Sequence, residues 1–282
     1  NAVIADAGEL FPTGTVVISG IKQLGNPVMA EDAIICATAL VREAGGPLLG
    51  VFEQVMNDVE DALPEVERYS YESGLGLVGR VDGRTIYIGN RNLLMAHRLE
   101  TPARELEVQH ISGGKDILYL ALDAEVVAML VLSYSADRRK KNELQRMEDS
   151  GISVLVRTTD PNVTVTMVSK LFGVDPASVG ILDGQLGDTA RQLLTAEPPR
   201  ADAVAATKGR MESMMSIVAA CVEQKRTTGM LVAIQSAAVI LGFVLVAFMA
   251  CFGEIRRVSA LLLFLFQLFW TGVLLVLPKF RG

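Results

Sequence analysis

The sequence predicts an α/β protein: a parallel-sheet domain split by an inserted α+β domain and followed by a two-helix transmembrane hairpin. Three observations carry this. A strand opens the chain and a helix–strand–helix series follows over residues 137–172, the pattern of α/β folds. The middle, from residue 22 to about 130, instead combines helices with strand hairpins. Residues 229–252 and 258–277 carry no charge over 24 and 20 positions, and as helices each is long enough for the ~30 Å core of a bilayer. A pair of buried core helices is the alternative for these two runs.

Taken in order, residues 1–20 read as a strand (Ala2-Val3-Ile4-Ala5), a loop and a second extended run. A strand-like start at Asn1 is expected of a piece of a longer protein. Residues 30–43 have helical spacing and stop at Gly45-Gly46-Pro47; residues 48–61 form a second helix closed by Pro64. From 66 to 90 come three strands, VERYSYE, GLVGRVDG and RTIYIGN, with Asp82-Gly83 as a hairpin turn. A short helix is expected at 91–98 and a loop at 104–113. A further hairpin, ILYLALD with VVAMLVLSY, turns at Asp123-Ala124-Glu125. Residues 137–149 are a polar helix ending at Gly151, ISVLVRT is a buried strand, and 163–172 is a helix stopped by Gly173. Residues 208–227 read as an amphipathic helix running straight into the first apolar run. The expected domains are therefore 1–21 with 131–207, the insert 22–130, and 208–282 as linking helix and hairpin.

Charge narrows the partners. Residues 1–227 hold 31 acids and 22 bases, a net charge of −9, which suits no nucleic-acid backbone. Lys225, Arg226, Lys279 and Arg281 flank the hairpin outside, against Arg256 and Arg257 in its loop. That bias places both ends, and residues 1–227, on the cytoplasmic side of a multi-pass protein of the cell membrane. Cys36, Cys221 and Cys251 lie far apart with no CxxC, which fits a reducing compartment and gives no metal site.

One segment is more specific than the rest. Residues 73–94, SGLGLVGRVDGRTIYIGNRNLL, resemble the nucleotide-domain hairpin of heavy-metal-type P-type ATPases, GxGV…GxxVxxGNxxLL, with Gly74, Gly76, Gly83, Gly89, Asn90, Leu93 and Leu94 in place. Residues 114–160 resemble the family's closing stretch, with Thr158-Thr159-Asp160 where the family has TGD. The resemblance covers most of the chain. It implies a haloacid-dehalogenase-like phosphorylation domain split by a nucleotide-binding domain, and it marks Gly74, Gly76, Gly89 and Asn90 as candidate nucleotide contacts. Glycine lets backbone approach a base or phosphate with no Cβ in the way; ordinary hairpin turns are the alternative. A dinucleotide fingerprint is rejected, since strands rather than a helix follow GLGLVG. Asn90 also suits the N-cap of the 91–98 helix.

The departures point the other way. The family's phosphorylation loop is DKTGT; here FPTGT, residues 11–15, keeps Thr13-Gly14-Thr15 but has Phe11 for the nucleophile and Pro12 for the lysine. Neither accepts a phosphoryl group or stabilises its charge. A second register takes Asp6 as nucleophile, giving DAGEL, with Glu9 adding repulsion; a structural loop acid is the other reading of Asp6. Asp6, Thr13, Thr158 and Asp160 are thus the remnant catalytic positions. Ala44-Gly45-Gly46-Pro47 stands where the resemblance implies Ser-Glu-His-Pro, and Tyr134 and Asp137 where it implies the Asp and Arg of DxxR. The sole candidate for the magnesium-binding GDGxND is Asp183-Gly184-Gln185-Leu186-Gly187-Asp188, with solvated loop acids as the alternative. The apolar runs hold Gln235, Ser236, Gln267, Thr271 and Cys251 but no ionisable ion-path residue.

The expected function is therefore a membrane-anchored, degenerate P-type-ATPase-like protein that forms no aspartyl-phosphate. It would act as a regulatory or interaction module toward a protein partner. ATP binding is expected to be weak and the magnesium site incomplete. Two alternatives remain: an active cation-transporting ATPase with an unusual site on Asp6 and Asp160, and a phosphatase of the haloacid-dehalogenase class. The latter needs a general acid two residues past the nucleophile, where Gly8 stands.

Overall fold

The structure is a computed structural model that describes residues 1–56, 63–111, 114–182, 186, 189, 192, 209–253 and 258–277. Residues 1–216 form one compact unit and 217–282 a second.

In the first unit, β1 (Ala2–Asp6), β8 (Ser153–Arg157) and β9 (Val179–Ile181) form a parallel sheet in the order β1-β8-β9. Its register sets Asp6 opposite Arg157. The second sheet is antiparallel with six strands. They are β2 (Val16–Gln23), β3 (Val66–Glu72), β4 (Gly76–Val81), β5 (Arg84–Gly89), β6 (Lys115–Leu122) and β7 (Glu125–Tyr134), in the order β2-β7-β6-β5-β4-β3. The architecture is the α/β sheet split by an α+β insert that the sequence predicts. The boundaries expected at 21/22 and 130/131 fall inside β2 and β7, which pair with each other from Val16↔Tyr134 to Gln23↔Ala128. Strand pairing thus carries residues 16–21 and 131–134 into the antiparallel sheet.

Helix α2 (Pro27–Ala44) lies on one face of that sheet, burying Ala33, Ala37, Leu40, Val41 and Ala44. It approaches so closely that a Cβ on Gly79 would sit 2.5 Å from Leu40 Cδ1. Ile117, Tyr119, Ala121, Met129 and Val131 build a second apolar cluster with Leu94. Buried alternately toward α2 and this cluster, β6 and β7 read as continuous apolar runs. The Asp82-Gly83 turn has φ of 48° and 73°, both positive as a type I′ hairpin requires.

Three elements differ from expectation. A helical turn, α1 (Ala7–Leu10), replaces the loop after β1, capped by Asp6 Oδ1 accepting from Gly8 N. Helix α3 (Leu49–Val55) is shorter than 48–61, and residues 57–62 lie outside the described residues. After α4 (Arg91–Ala96), residues 104–110 are a helix, α5 (Arg104–His110), not a loop. Ala103 gives it no side-chain cap; it is fixed instead by Glu107, which accepts from Arg91 Nε (2.6 Å) and Tyr119 Oη (2.5 Å). Helices α6 (Arg138–Asp149) and α7 (Val165–Phe172) pack on the parallel sheet.

The linking helix and first apolar run form one continuous helix, α8 (Met211–Cys251), long and apolar enough to cross a membrane. The second run gives α9 (Ala260–Val276), whose 17 residues span about 26 Å, short of the ~30 Å bilayer core. Among the described residues one helix, not two, is therefore long enough to span.

Candidate functional site

The C-terminal ends of β1 and β8 bring together residues that are 151 apart in the chain. Asp6 ends β1. One of its carboxylate oxygens accepts from Gly8 N at 2.8 Å; the other accepts from Arg157 Nε at 2.8 Å and from the second nitrogen of the same guanidinium. Such a two-pronged pair, at side chains 28% and 16% exposed, is a strong charge-assisted contact. Lys140, nearby on α6, donates to the Glu9 carbonyl.

Phe11 lies beyond α1 and is fully buried. Its ring meets Tyr134 edge-on at 5.9 Å and Phe172 at 5.5 Å, so it anchors the loop to β7 and to helix α7. Thr13 is exposed, with its side chain against Gly50 of α3, and Thr15 donates to the Pro12 carbonyl.

Thr158, Thr159 and Asp160 follow β8 directly and are buried. Tyr134 Oη donates to Asp160 Oδ2 (2.6 Å), and Asn162 N donates to Oδ1 (3.0 Å). Burial pushes the Asp160 carboxyl up to about 6, against these two donors, which favour its ionised form. The same burial, with Asp160 beside it, holds the Tyr134 phenol well above its ordinary range. Thr158 Oγ1 accepts from Asp160 N, and Thr159 Oγ1 donates to Gly45 O at 2.7 Å.

The magnesium that the resemblance implies needs carboxylate oxygens left over for it. Asp6 is paired with Arg157 and Gly8, and Asp160, fully buried, is bonded through both oxygens to Tyr134 and Asn162. Among the described residues no group of three or more His, Cys, Asp or Glu is placed to hold a metal. Asp183 and Asp188 lie outside the described residues.

The candidate nucleotide contacts do meet. Gly76 and Gly89 pair across β4 and β5. A Cβ on Gly76 would sit 2.2 Å from Ile88 O and one on Gly89 2.3 Å from Leu75 O, so both glycines are explained by close packing. Gly74 is different: its φ is +69°, and the position of its missing Cβ faces open space. Asn90 caps α4, accepting from Asn92 N and Leu93 N, while its amide donates to Gly74 O at 2.7 Å. Gly74 is thus the one of the three glycines that packing does not explain, on a loop held by Asn90 and by Tyr71 Oη, which accepts from Gly74 N at 3.3 Å.

Sequence relatives bear on this geometry. The silver exporting P-type ATPase of Salmonella typhimurium is 25% identical over 247 residues, 86% of this chain and 29% of that protein. The copper-exporting P-type ATPase of Legionella pneumophila is 24% identical over 184 residues, 62% of this chain and 25% of that one. The homologues of this chain are heavy-metal P-type ATPases. No family model matches it. Among solved structures, a zinc-transporting PIB-type ATPase in the E2.Pi state is 15% identical with a TM-score of 0.35, covering 69% of this chain and 31% of that one. The N-domain of a copper-transporting P-type ATPase is 16% identical with a TM-score of 0.35, covering 43% of this chain and 100% of that one. The chain spans less than a third of the length of the two curated relatives.

Of this P-type-ATPase-like chain's site, sequence reasoning missed Arg157, Asn162 and the contact from Gly45 to Thr159. Arg157 carried a usable signal: a charged residue closing an apolar strand-like run, ISVLVRT, at the end where α/β sites gather.

Proposed function

We propose that this chain is the headpiece and adjoining membrane segment of a degenerate heavy-metal P-type-ATPase-like protein. In this reading it forms no aspartyl-phosphate and serves as a regulatory or interaction module toward a protein partner. Its parts are a phosphorylation-type domain at residues 1–21 with 131–207, a nucleotide-type insert, and a membrane hairpin from 208 on. The first and last strands of the insert in chain order, β2 and β7, move those inner boundaries to about 15 and 135. In a multi-pass reading, the flanking bases favour residues 1–227 in the cytoplasm. Nucleotide binding is weak, on the order of millimolar, and uses the loop at Gly74.

Phe11 carries this reading. At the nucleophile's place in the TGT register stands a buried ring clamped between Tyr134 and Phe172, which can neither attack a phosphorus nor admit one. The test is incubation of the full chain in detergent with labelled ATP and magnesium. No acid-stable phosphoenzyme and negligible turnover are expected.

One observation favours a second reading, an active ATPase. Asp6 is the carboxylate at the C-terminal end of β1, where a nucleophile would stand in the other register. Labelled phosphoenzyme that disappears in Asp6→Asn would establish that reading and end the first.

A further inference from the structure

The corner between α2 and α3, with the start of α3, touches two connections of the strand-end site, the one between β1 and β2 and the one after β8. Gly45 O accepts from Thr159 Oγ1 at 2.7 Å. Gly46, at φ +104°, lies so close to Thr159 that a Cβ on it would sit 2.2 Å from Oγ1. Seen from the other side, a Cβ on Gly8 would fall 3.2 Å from Gly46 C and 3.2 Å from Asp6 Oδ1. A Cβ on Gly50, at the start of α3, would fall 3.1 Å from both terminal atoms of the Thr13 side chain. The seam between Gly8 and Gly46 barely takes a methyl group, so it admits no phosphate. Thr158, Thr159 and Asp160 beneath it are at most 6% exposed.

We propose that the Gly45-Gly46-Pro47 corner is an autoinhibitory clasp, which holds shut the cleft between the insert and the strand-end loops. The phosphate end of a nucleotide seated near Gly74 is thereby kept from Asp6 and Thr158. The proposal rests on the reading of this region as a remnant phosphoryl-transfer site. Its physical basis is narrow. Two glycines (8 and 46) let the segments meet closely, and one threonine hydroxyl locks them. The hydroxyl is a single net hydrogen bond, weak enough to open without unfolding either sheet.

Amide hydrogen exchange on the full chain in detergent, read by mass spectrometry, tests this. In the wild type, peptides covering 44–48 and 158–162 should exchange at least tenfold faster than those of β6 and β7, by local opening. Gly46→Ala, which forces a methyl onto Thr159, should speed both peptides a further tenfold with β6 and β7 unchanged. Thr159→Val should do the same, and Thr159→Ser, which keeps the donor, should match the wild type. Exchange of the corner in step with β6 and β7 in every variant would overturn the clasp, making the contact plain core packing. So would unchanged exchange at 158–162 in both Gly46→Ala and Thr159→Val. The phosphoenzyme assay on the opened variants separates the two proposals: label appearing there and not in the wild type supports the clasp and overturns catalytic inactivity.

Discussion

Asp160 should make this protein more stable in mild acid than at neutral pH. Its carboxyl is wholly buried, and its folded value of about 6 stands above the ordinary 3.8. A group whose folded value is raised binds its proton more tightly when folded. The stability this brings is complete below the unfolded value and is lost as pH rises through the folded one. The window is therefore about pH 4 to 6. A shift of roughly two units corresponds to about 3 kcal/mol in full, of which about 2 kcal/mol is lost between pH 4 and 6. Asp116, whose carboxyl is also pushed up by burial, adds to the same trend, while other carboxylates run across it, so the informative quantity is a difference. Asp160→Asn keeps the shape and removes the titration. Unfolding free energies of wild type and Asp160→Asn, from urea titration of the full chain in detergent followed by tyrosine near-ultraviolet dichroism, should be compared at pH 4 and pH 7.5. The wild type should lose about 2 kcal/mol relative to the variant between the two. A difference that stays constant within about 0.5 kcal/mol would mean that water or a cation reaches Asp160 and that its burial has been misjudged.

Three further outcomes follow from named contacts. Phe11→Ala removes a ring packed between Tyr134 and Phe172 and should cost about 3–5 kcal/mol in the same urea titration. A loss under 1 kcal/mol would show that the FPTGT loop is not anchored there. Asn90→Ala removes the α4 cap and the bond to Gly74 O, and should cost about 1–2 kcal/mol and speed amide exchange at 73–76. Titration of ATP and AMP by amide chemical shifts should move Gly74 first, at millimolar concentrations and with little preference between them. Micromolar, magnesium-dependent binding selective for ATP would contradict a weakened site.

What the sequence made legible was local. The Asp82-Gly83 turn, the Asn90 cap and the apolar runs of β6 and β7 are written in neighbouring residues, and the elements follow. Helix α5 was not legible, because Ala103 gives no start signal and its stability comes from Arg91 and Tyr119, 16 and 12 residues from Glu107. The Asp6–Arg157 pair depends on the parallel register of β1 on β8, which no short window contains. The glycines divide for the same reason. Gly76 and Gly89 look like Gly74 in the motif, and only the pairing of β4 with β5 reveals that two of the three are packing glycines.

The two registers of the phosphorylation loop are not rivals of equal standing, because each lacks what the other keeps. Asp6 has the place at the end of β1, yet six residues including α1 separate it from Thr13, where DKTGT has one residue between carboxylate and threonine. Phosphoryl transfer needs the nucleophile, a cation and the supporting hydroxyl around one phosphorus atom. To bring Thr13 back beside Asp6, α1 would have to unwind and Phe11 leave its place between Tyr134 and Phe172. Withdrawing that ring costs on the order of 3–5 kcal/mol by the measure of core truncations, before the Asp6–Arg157 pair is broken. Keeping Phe11 in place leaves Asp6 with a guanidinium where transfer chemistry needs lysine and magnesium. The buried ring of Phe11 fastens the loop between Tyr134 of β7 and Phe172 of α7, and either register then lacks one of the groups that phosphoryl transfer uses.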